Sequence, residues 1–243
     1  MASPTSNDSS THGHCRVVVL ISGSGSNLQA LIDGQQQNTL PISIVGVISN
    51  KPDVYGLQRA DLASIPHCVV NHRDYDGRES FDQALSNAID QYQPDLVILA
   101  GFMRILTADF VRHYQGRMLN IHPSLLPKYQ GLHTHQRALD ANDQQHGVTV
   151  HFVTEELDGG PTVIQAIVPI VGGDTIDTLA KRVQTQEHII YPMAVEWFAT
   201  GRLRLDTKST QNTQNTQNTQ KVLLDNEPLA THGYQIDSSH AKA

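Results

Sequence analysis

The chain has 243 residues, a net charge of −7 and a pI near 6.0, with 39% hydrophobic and 17% charged residues. That length suits one large α/β domain or two small lobes, and the acidic balance argues against a nucleic-acid partner, which needs a basic footprint. No apolar run approaches the roughly 18 residues of a membrane span, and Cys15 and Cys68, without metal or C-x-x-C spacing, are expected to be reduced thiols.

The first 14 residues are polar and carry neither a secretory nor a transit signal, so residues 1–15 are expected to be a disordered extension of a cytoplasmic protein. Arg16 to Ser22 contains five consecutive apolar residues, mostly β-branched, and predicts a buried strand. Gly23-Ser24-Gly25-Ser26-Asn27 follows. Leu28, Leu31 and Ile32 then have helical spacing, with Gly34 as the expected stop. A strand, a glycine-rich turn and a helix can cradle a phosphate on backbone N–H groups and the helix dipole. The turn lacks the third glycine of a dinucleotide fingerprint and the lysine of a Walker A loop, so it suits a mononucleotide-like phosphate or a plain tight turn.

Further strands are predicted over Ile42 to Ile48, His67 to Val70 and Leu96 to Ala100, alternating with helices over Tyr55 to Ala63 and Ser80 to Tyr92. This alternation predicts a doubly wound, mainly parallel sheet with helices on both faces. Gly101 to Leu106 is apolar for a loop and is either core or the wall of a pocket for a flat ligand. Thr107 caps a short helix.

Met118, Leu119 and Ile121 predict a short buried strand whose polar residues, Asn120 and His122, point the same way, roughly 6–7 Å apart. Pro123 forces His122 extended and ends the strand. Two polar side chains at a strand end occupy the place where α/β sheets bind ligands, although a buried Asn–His pair can also satisfy itself. A strand over Gly147 to Val153 is followed by a loop, Thr154 to Pro161, with three carboxylates and two glycines, and then by a strand from Thr162 to Pro169. Asp174 is expected to cap a long helix with an apolar stripe of Ile176, Leu179, Val183, Ile190, Ala194 and Trp197, kinked at Pro192. Glu187 falls on that stripe. A buried carboxylate is costly unless paired, so Glu187 is a ligand or ion-pair candidate, with Gln184 beside it. Three Gln-Asn-Thr triplets fill 211–219, inside an expected low-complexity insertion over 207–220. Residues 221–243 are expected to form a hairpin or tail.

Taken together, ISGSGSNL, LAGFMRIL, LNIHPSLLP, HFVTEELDGGP and RVQTQEH resemble the folate-dependent formyltransferase family, in the branch that uses glycinamide ribonucleotide as acceptor. The resemblance spans about residues 16–205 and departs at Gln130, where the family motif has proline. It implies a Rossmann-like formyltransferase domain over 16–206, with a phosphate-binding N-terminal half and a folate-binding C-terminal half. The implied reaction moves the formyl group of 10-formyltetrahydrofolate to an amine, without a metal, between small-molecule partners, in a monomer or weak homodimer. By resemblance Asn120, His122 and Asp158 are catalytic, with Asp158 holding the imidazole protonated and helping to relay protons through water. Gly25, Ser26 and Asn27 hold the ribose phosphate, and Gln184, Thr185, Gln186 and Glu187 the rest of the acceptor. Arg78 binds folate, Met103, Arg104, Ile105 and Leu106 line the pterin site, and Thr154, Glu155, Glu156, Leu157 and Asp158 close over it, beside Asn120. The alternatives are a formyltetrahydrofolate hydrolase, expected to carry a regulatory domain before Arg16, and a methionyl-tRNA formyltransferase, expected to carry a basic C-terminal domain.

Overall fold

The computed structural model describes residues 14–206 and 220–237. The expected N-terminal extension, apart from residues 14 and 15, lies outside the described residues, as do positions 207–219 of the low-complexity insertion and residues 238–243.

Five βα steps build the first part of the chain. They are β1 (Cys15–Ile21), α1 (Ser26–Gln36), β2 (Ile42–Ser49), α2 (Tyr55–Leu62), β3 (His67–Val69), α3 (Arg78–Asp90), β4 (Leu96–Leu99), α4 (Ala108–His113), β5 (Met118–His122) and α5 (Thr134–Asp140). Then come β6 (Gln145–Phe152), β7 (Thr162–Pro169), α6 (Ile176–Ala199), β8 (Leu203–Asp206), β9 (Lys221–Leu224), β10 (Glu227–Pro228) and β11 (Tyr234–Asp237). Among the described residues, one sheet has the order β11-β7-β6-β5-β4-β1-β2-β3, and a second has the order β10-β9-β8.

The apolar run of β1 is explained by its place between β2 and β4, with helices above and below, so both faces of the strand are buried. Chain order reverses at β1 and β4, the switch point that opens a crevice beyond the strand ends. The expected mainly parallel sheet is present, with one departure: β6 runs antiparallel to both β5 and β7. The 153–161 connection between β6 and β7 holds no helix, so it joins them as a hairpin rather than as a parallel crossover.

Several local expectations change. Helix α1 continues past Gly34 to Gln36, and the glycine instead makes room for Leu40, whose Cδ1 would lie 2.6 Å from an added Cβ. The cap of α6 is Thr175, in a reciprocal capping box with Thr178, while Asp174 accepts from Val171 N–H and pairs with Arg182. Ile176 is exposed, and the buried stripe of α6 includes Tyr191 and Val195. The helix runs through Pro192 as one element. Further on, β9 and β10 form a hairpin, which docks on β8. Tyr234–Asp237 does not remain a tail, because it pairs in parallel with β7 as the eighth strand.

Candidate active site

Asn120 and His122 share a face of β5, as alternation requires, and the antiparallel partner β6 adds His151 directly opposite Asn120. His151 Nδ1 donates to the Phe152 carbonyl at 2.9 Å, so its Nε2 accepts from Asn120 Nδ2 at 3.1 Å. Burial pushes the His151 imidazole down to about 4, which keeps it neutral, and the Phe152 carbonyl sets the tautomer. One hydrogen of the Asn120 amide is thereby used, and the other is left for a ligand.

His122 is held differently. Its Nε2 donates to the Tyr129 carbonyl at 2.9 Å, and its Nδ1 faces Asp158 Oδ2 at 3.5 Å. Both nitrogens have protein partners, so of the expected donor pair Asn120 is the one with an open hydrogen. Asp158 arrives by an indirect route. The loop leaves β6 level with Met118, whose carbonyl accepts Val153 N–H, and then folds back along β5 to reach His122. Asp158 has φ 49, an αL conformation open to Asp, and Gly160 lets the backbone pass Phe152, whose carbonyl oxygen an added Cβ would strike. The Asp158 carboxylate also accepts Gly131 N–H at 2.8 Å, so it ties two loops together rather than capping its own turn.

The expected acceptor residues converge from opposite ends of the chain. Asn27 Nδ2 donates to Glu187 Oε2 at 2.8 Å, and Gln184 Nε2 donates to Ser26 Oγ at 3.1 Å. Glu187 therefore has a neutral amide as its partner, not a cation, and burial raises its pKa. Gly25 is αL with φ 70, and an added Cβ would come within 2.8 Å of Gly56 Cα. The first N–H groups of α1 lack intrahelical acceptors by construction and open beside this turn. Gln186 is buried. Thr185 is not brought to the cluster, because it is exposed and its hydroxyl bonds back to the Lys181 carbonyl. Arg59, which sequence reasoning does not single out, donates to the Ser24 carbonyl and puts a cation beside the same turn.

The expected folate residues form the other flank. Met103 N–H donates to Ser22 Oγ at 2.8 Å and Thr107 N–H to Asp82 Oδ2 at 2.6 Å, which pins both ends of the loop. Between them Met103 and Ile105 are exposed, Phe102 is buried, and Leu106 packs on the core. The segment is therefore part core and part surface, with Met103 and Ile105 turned to solvent. Arg104 lies over the Phe81 ring, and Arg78 stands exposed at the start of α3. Opposite, Thr154 is half-buried, while Glu156 and Leu157 are exposed. Glu155 is fastened to α4 by a bidentate contact with Arg112 at 2.7 and 3.0 Å.

Behind the Tyr129 loop, His135 Nδ1 and His146 Nε2 are 3.0 Å apart, and burial pushes His146 down to about 4. Both cysteines are free thiols, and burial raises each, Cys15 to about 12. Among the described residues no group of three or more His, Cys, Asp or Glu side chains is placed to hold a metal, and no helix is long and apolar enough to cross a membrane.

A family model described as formyl transferase matches residues 15–195. The phosphoribosylglycinamide formyltransferase of Escherichia coli (strain K12) is 51% identical over 221 residues, which cover 91% of this chain and 99% of that protein. The Haemophilus influenzae protein of the same name is 49% identical over 190 residues, 78% of this chain and 90% of that one. Among solved structures, the phosphoribosylglycinamide formyltransferase of Coxiella burnetii in complex with CHES is similar with a TM-score of 0.81 and 50% identity, covering 91% of this chain and 99% of that chain.

Proposed function

Because the chain belongs to the formyl transferase family, we propose that it transfers the formyl group of 10-formyltetrahydrofolate to the amine of 5-phosphoribosylglycinamide, giving the formylated amide and tetrahydrofolate in purine biosynthesis. The amine lone pair attacks the formyl carbon, and the carbonyl electrons move onto oxygen. The tetrahedral intermediate collapses by breaking the bond to the folate nitrogen, which takes up a proton as the incoming nitrogen loses one. A neutral amide donor aimed at the developing oxyanion lowers this barrier. Asn120, with one amide hydrogen open and the other anchored on His151, fits that role. His122 and Asp158 stand beside it to relay the proton.

The observation that best supports this reading is the joining of Asn27 to Glu187 and of Ser26 to Gln184, with the polar strand end of β5 beyond them. In this arrangement the α1 N-terminus takes the phosphate, Glu187 takes the glycinamide end, and the Met103–Leu106 and Thr154–Asp158 loops enclose the folate. The reading includes the cytoplasm as compartment and a monomer or weak homodimer as state, to be measured by fractionation and sedimentation. Incubating the purified protein with both small molecules tests the reaction. Tetrahydrofolate and formylated product should appear in equal amounts and only with acceptor present. Formate release without acceptor would replace this reading with a hydrolase.

A further inference from the structure

His122 does not stand alone in its row of the sheet. It is in register with Thr149 on β6, Thr149 with Gln165 on β7, and Gln165 with Gln235 on β11. Residues in cross-strand register present their side chains to one face, so one polar row crosses four strands from the catalytic strand to the last strand described. The neighbouring row is apolar, with Ile121, Val150 and Ile164.

The polar row is fully hydrogen-bonded. Gln165, 2% exposed, donates both amide hydrogens, to the Leu126 carbonyl at 2.8 Å and to Thr149 Oγ1 at 3.1 Å. Its carbonyl oxygen accepts Gln235 Nε2 at 3.2 Å, which sets the direction of the amide. Thr149 Oγ1 donates to the Ser124 carbonyl at 2.6 Å and accepts Leu126 N–H at 3.1 Å. Ser124 Oγ in turn donates to the Lys128 carbonyl at 2.6 Å. The network therefore grips the backbone of the turn that follows His122. That turn delivers the Tyr129 carbonyl to His122 Nε2.

The partners of this row are largely backbone groups that no substitution can make apolar, so an apolar row would leave them buried and unpaired. Nor would it hold two backbone carbonyls and one N–H in the turn.

We propose that Gln165 is a positioning residue. Through Thr149 and Leu126 it fixes the Ser124–Tyr129 turn, and so the orientation of the His122 ring, and β11 locks it by the Gln235 contact. The proposal rests on the function argued above for His122.

Gln165→Glu is the sharpest test. It keeps size and the acceptor for Gln235 and removes at least one of the two donors. In the full chain, kcat should fall about tenfold, the scale of one misaligned group, with KM for acceptor and folate within twofold of parent. The 15N resonances of the His122 ring, measured without substrate, should move. Gln235→Ala should lower kcat about two- to threefold, move the same resonances less, and add nothing to Gln165→Glu, since both act on one network. Parental kcat or an unmoved His122 resonance in Gln165→Glu overturns the proposal. If that variant does not fold, the same two outcomes in Gln235→Ala, a change on an exposed strand, decide it. A parental protein without formyl transfer would defeat the functional reading instead, and the His122 resonances would still settle this one.

Discussion

Asn120, His151 and the Nε2 of His122 are already hydrogen-bonded to neighbouring strands and loops, whereas Met103, Ile105 and Leu157 stand out of theirs with 62%, 55% and 50% of their surface in water. The first group is set before any ligand arrives. The second leaves apolar side chains exposed, which the proposed function assigns to covering the folate. On that reading the difference follows from the chemistry each would supply. A donor aimed at a transient oxyanion is useful only if it needs no rearrangement, while a flat apolar ligand is held by surface removed from water, about 25 cal/mol per Å². Changes in the first region should therefore fall on kcat, and changes in the second on KM for the folate.

The largest break expected is at the strand end. Asn120→Ala and His122→Ala should each lower turnover roughly 10²–10³-fold, the scale of one oxyanion donor for the amide and of one proton-transfer group for the imidazole, with the far-ultraviolet circular dichroism spectrum unchanged. Parental turnover in a folded Asn120→Ala protein would make that amide structural.

Next is the acceptor end, which lies between the two cases because its parts are joined yet polar. Glu187→Gln keeps the contact to Asn27 possible and removes the charge. Steady-state kinetics should give KM for the phosphoribosyl substrate raised about tenfold, the range of a charged hydrogen bond, with KM for the folate unchanged. A selective folate defect would move Glu187 to the other flank.

Leu157→Ser should weaken only the second region. KM for the formyl donor should rise about fivefold and kcat should stay within twofold. A fall in kcat with unchanged KM would show that the loop acts through Asp158 rather than through its apolar surface.

The last effect falls on stability rather than on turnover. His146 is 1% exposed, and its pKa in the folded chain is about 4, against a usual 6.5. Between these values the unfolded chain binds a proton that the folded chain refuses, so stability falls as pH drops from 6.5 to 4 and levels off below. One such group contributes a slope of up to about 1.4 kcal/mol per pH unit. Denaturant titrations of His146→Gln should show a pH dependence shallower by about one proton. An equal slope in both proteins would assign the acid sensitivity to other groups.

The parts of this arrangement that a single sequence displays are those set by local periodicity. Alternation in β5 puts Asn120 and His122 on one face, and helical spacing in α6 puts Glu187 on a buried stripe. The partners of those residues are not local. His151 faces Asn120 because β6 is antiparallel to β5, and the sequence of β6, alternating toward either face, does not state its direction. Glu187 reads as a ligand or ion-pair candidate, and its protein partner is the neutral amide of Asn27, since the α1 and α6 surfaces decide which side chain arrives. Thr185 lies in the same motif as Glu187, yet a residue two positions away on a helix faces elsewhere. The strand β11 follows a low-complexity tract and has only Tyr234 to Asp237 to mark it, too short for its period to separate it from a tail. Gly34 reads as a helix stop because glycine usually is one at that place. The packing of Leu40, a tertiary contact, accounts for it inside the helix.

The central claim is that a preset cluster of Asn120, His122 and Asp158 performs formyl transfer. The most direct measurement is a rapid-quench single turnover of the parent and of Asp158→Asn, with enzyme in excess, one substrate bound in advance and the other added on mixing. Asparagine keeps the size and can still accept Gly131 N–H, but it removes the charge opposite His122 Nδ1. The account predicts transfer slowed about a hundredfold or more, with folate binding close to parental. A single-turnover rate equal to that of the parent would contradict it, and would leave Asp158 as a tie between two loops.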